Sequence, residues 1–107
     1  DDDVRLQVFF YRTSSGHEPV REWLKALPVE ERRVIGRDLK TAQYGWPLGM
    51  PLIRELEPGL WEIRSRLPER IARVIFTVHG NTLVLLHGFI KKSEKTPLQD
   101  LQLASND

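Results

Sequence analysis

Apolar and polar positions alternate from Leu60 to Pro97 (LWEIRSRLPERIARVIFTVHGNTLVLLHGFIKKSEKTP), and this pattern predicts three consecutive strands. The first is Leu60–Leu67, closed by a polar turn at Pro68, Glu69 and Arg70. The second is Ile71–Val78, and Gly80-Asn81 supplies the positive φ that a tight primed hairpin needs before the third, Leu83–Ile90. Val, Ile, Phe and Thr dominate the last two, as a pleated, half-buried surface favours. Near the start, Arg5–Tyr11 reads as another strand with Leu6, Val8 and Phe10 on one face.

Between these strands the apolar period changes. After the loop Thr13-Ser14-Ser15-Gly16, Pro19 stands at a first-turn position where its missing N–H costs nothing. Val20, Trp23, Leu24 and Leu27 then recur at helical spacing. Pro28 breaks that helix. A second helix follows, with Glu30 and Glu31 in its first turn and Ile35, Leu39 and Ala42 as its stripe, ending at Gly45. The two are expected to form an antiparallel hairpin. Gly45–Gly59, with three Pro and three Gly, reads as an irregular crossover, and Thr96-Pro97 as the start of a short terminal helix facing Leu98 and Leu101 inward. The predicted order is β-α-α-β-β-β-α, an α+β domain spanning residues 1–107 with helices on one face of a small, mostly antiparallel sheet.

Composition adds little to this until charge is placed along the chain. The net charge of +1 hides an asymmetry: acids gather early, while residues 64–95 hold seven Lys or Arg and only Glu69 and Glu94. Alternation places Glu62, Arg64 and Arg66 on one face of the first meander strand, opposite Trp61, Ile63 and Ser65. On the second strand Arg73 shares a face with Ile75 and Thr77, while Val74, Phe76 and Val78 point the other way. Positive charge concentrated at one end of a sheet suits a polyanion. The chain has no cysteine, which excludes a disulfide framework and thiolate chemistry and fits a reducing cytosol. No apolar run reaches the roughly 20 residues of a membrane helix, and no charged-then-apolar leader opens the sequence. The histidines are far apart, no ligand-like carboxylate cluster lies on the strands, and neither a phosphate loop nor a nucleophile elbow is present, so no metal or other cofactor is expected.

The pattern resembles the phage-derived Gp49-like branch of the HigB/RelE superfamily of toxin–antitoxin toxins. The matching residues are Glu22-Trp23-Leu24 with Leu27-Pro28, Gly59-Leu60-Trp61-Glu62-Ile63-Arg64, Arg73-Val74-Ile75-Phe76, Leu85-Leu86-His87-Gly88-Phe89-Ile90-Lys91-Lys92, and Lys95-Thr96-Pro97. The resemblance implies a RelE-like fold and a cytoplasmic, metal-independent endoribonuclease that cuts mRNA on the ribosome and inhibits translation. It also implies a cognate antitoxin with a helix-turn-helix DNA-binding domain, held in a toxin–antitoxin hetero-oligomer. Carried over by position, Arg73 takes the place of the second-strand active-site arginine, Arg64 that of a basic residue on the first meander strand, and Lys91 or Lys92 that of a basic residue after the third. Relatives often carry a Tyr or His in the terminal segment, and Lys95-Thr96-Pro97-Leu98 offers neither.

The chemistry agrees with those types. Cutting RNA through its own 2′-hydroxyl needs charge stabilisation at phosphorus, which fixed guanidinium groups supply, and two proton transfers. Crowded cations lower a lysine's pKa, which suits Lys91 or Lys92 to act as a base. His87, beside the basic run, is a further proton-transfer candidate, against the commoner reading of a satisfied strand histidine. Arg73 is weighed against a surface pair with Glu62 or Glu69, Arg66 and Lys95 are phosphate-contact candidates against simple solvation, and Trp46 is a base-stacking candidate against the commoner packing under the crossover. Two other functions fit the same fold and charge: a non-enzymatic toxin that poisons DNA gyrase, and a non-catalytic RNA-binding module.

Overall fold

A computed structural model describes residues 6–49 and 51–91. In chain order these form β1 (Gln7–Phe10), α1 (Pro19–Lys25), α2 (Val29–Gly45), β2 (Ile53–Glu57), β3 (Leu60–Arg66), β4 (Ile71–His79) and β5 (Thr82–Lys91). The expected terminal helix at Thr96-Pro97 lies outside the described residues. The strands make one sheet in the order β1-β5-β4-β3-β2. β1 runs parallel to β5, and every other pair is antiparallel. The fold is α+β and consistent with the RelE-like arrangement.

Both helices cover the same face of the sheet. Val20 of α1 and Ile35, Leu39 and Ala42 of α2 are buried against Ile53, Ile63, Val74, Phe76, Leu83 and Leu85. Side chains of this size stabilise by about 1.5–3 kcal/mol each when fully buried. α1 lies mainly over β5 and α2 over β3. A bidentate ion pair from Arg70, in the β3–β4 turn, to Glu31 at the start of α2 fastens helix to sheet, at 2.8 and 3.1 Å. The opposite face has its own apolar cluster, built on Ile75 and Leu86 with Tyr11, Leu56, Leu60, Val84 and Phe89, and among the described residues no helix residue takes part. The alternation expected for β3 and β4 holds.

Two features correct the sequence reading. The crossover is not irregular throughout, because Ile53–Glu57 adds a fifth strand to the edge of the sheet. Its hairpin to β3 closes at Pro58-Gly59, where Gly59 takes φ 87°, as a Pro-Gly type II turn requires. The second feature is a bulge in β5. Phe76 pairs with Leu85 and Ile75 with His87, which leaves Leu86 extra. The bulge reverses the parity of the strand. Leu83 and Leu85 face the helices, and beyond the bulge Gly88 and Ile90 do so, while His87, Phe89 and Lys91 turn to the other face.

Gly88 is where α1 meets that reset strand. A Cβ there would sit 2.4 Å from the Trp23 ring, so the indole packs directly on backbone. Gly88→Ala is expected to destabilise the protein by roughly 1–3 kcal/mol, the usual range for overpacking. Gly36→Ala, in the open interior of α2, is expected to stabilise it by up to about 1 kcal/mol. Urea titration of both variants checks the pair.

Candidate functional site

The face turned from the helices gathers charge from four strands. On β3 and β4 the register sets Arg64 opposite Arg73 and Glu62 opposite Ile75. Arg54 of β2 lies opposite Glu62. The β5 bulge brings Phe89 opposite Arg73 and Lys91 opposite Ile71. Two arginines directly across a ladder repel one another, so the arrangement needs a counterion close by.

Glu62 is that counterion. It is 0% exposed and Arg73 is 2% exposed. Arg73 donates from Nη1 to Glu62 Oε1, and Arg54 Nη2 lies 3.6 Å from the same oxygen. Burial pushes the Arg73 guanidinium pKa down, and the Glu62 charge opposes that shift. Lys91, 7% exposed, has its ammonium pKa lowered from the ordinary value of 10.5. Burial is the main cause, and Arg73 adds to it; Glu62 opposes, while Arg54 and Arg64 push the same way as Arg73. Four cations around one carboxylate leave an excess of positive charge in a poorly solvated place, where such charge acts strongly. The Nε atoms of Arg64 and Arg73 are buried and have no hydrogen-bond acceptor among the described residues. A site so built can hold an anion, and it eases the loss of the Lys91 proton.

Of the residues expected from sequence, Arg64, Arg73, Lys91 and His87 come to this one face. Arg73 does so as a buried, ion-paired group and not as an open fork. His87 stacks on Phe89, with ring centres 5.6 Å apart. Arg66, at the exposed end of β3, belongs instead to a neighbouring groove that it shares with Arg64. Trp46 is a packing residue: it meets Trp61 and Phe76 edge-on at 4.9 and 5.7 Å, on the helix-covered face. Those contacts agree with packing under the crossover, the alternative weighed for it. Lys92 and Lys95 lie outside the described residues.

Sequence reasoning missed Arg54 and the buried role of Glu62. Leu52, Arg54 and Leu56 alternate with Ile53, Glu55 and Glu57, a strand signal hidden by flanking prolines. Among the described residues no three His, Asp or Glu side chains converge as a metal site.

Residues 22–107 match a protein-family model described as phage-derived protein Gp49-like. No curated protein matches the chain.

Proposed function

The chain belongs to the phage-derived Gp49-like family, the Gp49/HigB-like toxin branch, and from that premise we propose that it is the toxin of a type II toxin–antitoxin pair that cuts mRNA on the ribosome without a metal. The observation that carries this reading is the cation cluster around Glu62, with Lys91 held at a lowered pKa beside Arg64 and Arg73.

The cleavage follows from those groups. Neutral Lys91 takes the proton of the 2′-hydroxyl, whose oxygen bonds to the adjacent phosphorus. Arg64 meets the negative charge that builds on the phosphoryl oxygens. Arg73, held by Glu62, adds positive potential and keeps the Lys91 ammonium acidic. The bond from phosphorus to the 5′-oxygen then breaks, and His87 gives a proton to that oxygen. The products are a 2′,3′-cyclic phosphate and a 5′-hydroxyl. The partner that restrains this chemistry is a cognate antitoxin with a helix-turn-helix DNA-binding domain, working in the cytoplasm.

Primer extension on cellular messages after brief induction tests the proposal. Wild type is expected to give discrete new ends, absent in Arg64→Gln and Lys91→Met. Growth arrest with intact messages would overturn it, and supercoiling defects with a DNA-damage response would turn the reading to gyrase. Arg73→Ala is a poor probe because it strands Glu62 without its buried partner.

The pH dependence has a definite sign. Lys91 serves as base only when neutral, so the limb of the cleavage profile that reports Lys91 is expected to rise with pH. Arg54 is one of the charges that lowers the Lys91 pKa. Arg54→Gln is therefore expected to move that rising limb to higher pH, read from single-turnover rates across a pH series.

A further inference from the structure

Between α2 and β3 lies a groove of roughly 230 Å³ that the cleavage chemistry leaves unused. Val34 and Leu52 give it apolar walls, Arg37 and Asp38 line it from α2, and Arg64 and Arg66 line it from β3. Its volume falls below the roughly 300–1,000 Å³ of pockets for drug-sized ligands, a scale that suits one nucleobase. Asp38 is half-buried, yet it makes no hydrogen bond or ion pair among the described residues despite the arginines around it. Arg64 belongs both to this groove and to the cation cluster, as the register partner of Arg73.

We propose that this groove is a base-reading subsite selective for guanine, taking the nucleotide next to the phosphate held at Arg64; the assignment rests on the nuclease reading above. Guanine presents two parallel donors, N1–H and N2–H, on its pairing edge, and a carboxylate accepts both at once. Adenine presents an acceptor at N1 that the Asp38 carboxylate repels. Cytosine offers a single amine, and uracil a single N–H between two carbonyls. Arginine is the preferred partner of guanine O6 and N7, and Arg37 and Arg66 stand on the groove walls to supply it. Apolar and guanidinium surfaces within one groove suit a flat ring. A phosphate on Arg64 and a base against Asp38 are then contacts of one nucleotide chain.

The test is an amide-shift titration of the full-length protein with the 3′-monophosphates of guanosine, adenosine, cytidine and uridine. Guanosine 3′-monophosphate is expected to shift Val34, Asp38 and Leu52 and to bind at least about tenfold more tightly than the other three, the scale of one bidentate base contact. Asp38→Asn is expected to erase that preference while Arg64 and Arg66 still hold the phosphate, and to remove guanine bias from mapped cut sites. Equal binding of all four nucleotides, or a guanine preference that survives Asp38→Asn, would overturn the assignment. So would groove shifts with a hexaglutamate peptide and none with nucleotides, because the groove would then be a protein contact. If wild type cuts no RNA but shows the guanosine-selective shifts, the subsite stands and the nuclease reading falls. If it cuts RNA with the same base bias in Asp38→Asn, the nuclease reading stands and the subsite falls.

Discussion

Lys91→Met is expected to slow RNA cleavage by about 10²–10⁴-fold, the usual contribution of a positioned general base, while the protein stays folded. Lys91 is nearly buried beside Arg73, and its ammonium is held below its ordinary pKa by burial and by neighbouring cations. Methionine keeps the length and loses the proton acceptor. Burial of this cation also has a signature in stability. Its folded pKa lies below the unfolded value, so the unfolded chain binds more protons between the two. Folding stability therefore rises with pH through that window, up to about the ordinary value of 10.5. Lys91→Met should remove that rise. Denaturant titrations across the alkaline range, run beside the cleavage assay, separate a lost base from a lost fold. A variant with normal cleavage would remove Lys91 from the chemistry.

Glu62→Gln is expected to cost about 3–5 kcal/mol, the scale for breaking a buried ion pair by removing one partner. The carboxylate is fully buried, receives a hydrogen bond from Arg73 and lies near Arg54. Without it, Arg64 and Arg73 still face each other across the ladder, and Arg73 loses the carboxylate it is paired with. The paired replacement Glu62→Met with Arg73→Met removes both charges and is expected to recover most of the loss, because an apolar pair of similar volume avoids the desolvation penalty. It also removes the positive potential and so should lower cleavage even where stability returns. Urea midpoints of the two single variants and the double form the cycle that checks this. Simple additivity of the singles would show that the two side chains do not act as a pair.

The meander was legible because its cues agree. Val74 and Phe76 alternate against Arg73 and Ile75 along β4, and Gly80, with φ 62°, closes the hairpin to β5. The stripe Ile35, Leu39 and Ala42 was equally plain in α2. β2 was lost because Pro51 and Pro58 flank a strand of five residues and mark it as a loop. The bulge at Leu86 left no trace in the sequence. In Leu83-Val84-Leu85-Leu86-His87 the apolar run is continuous, so nothing reveals that Leu85 and His87 lie on opposite faces. Yet that extra residue is what turns Lys91 toward Arg73.

The candidate site was legible in residue type more than in state. Arg64, Arg73 and Lys91 were expected together from charge and spacing, but burial depends on all the strands at once. Glu62 read as a possible surface partner of Arg73, and burial of that pair, with β2 bringing Arg54 beside it, makes it the hub of the cluster. Trp46 shows the opposite limit. A tryptophan in a Pro/Gly-rich segment leaves stacking and packing both open, and only the sheet shows Trp61 and Phe76 as the partners it packs on.

The central claim is that this cluster cuts RNA through the 2′-hydroxyl, and the chemistry of the product ends tests it most directly. Purified protein is incubated with ribosomes programmed with a defined message in the presence of EDTA, and the new ends are identified. The account predicts 5′-hydroxyl and 2′,3′-cyclic phosphate ends that form with wild type and fail to form with Lys91→Met. Intact message, or fragments ending in 5′-phosphate and 3′-hydroxyl, would contradict it.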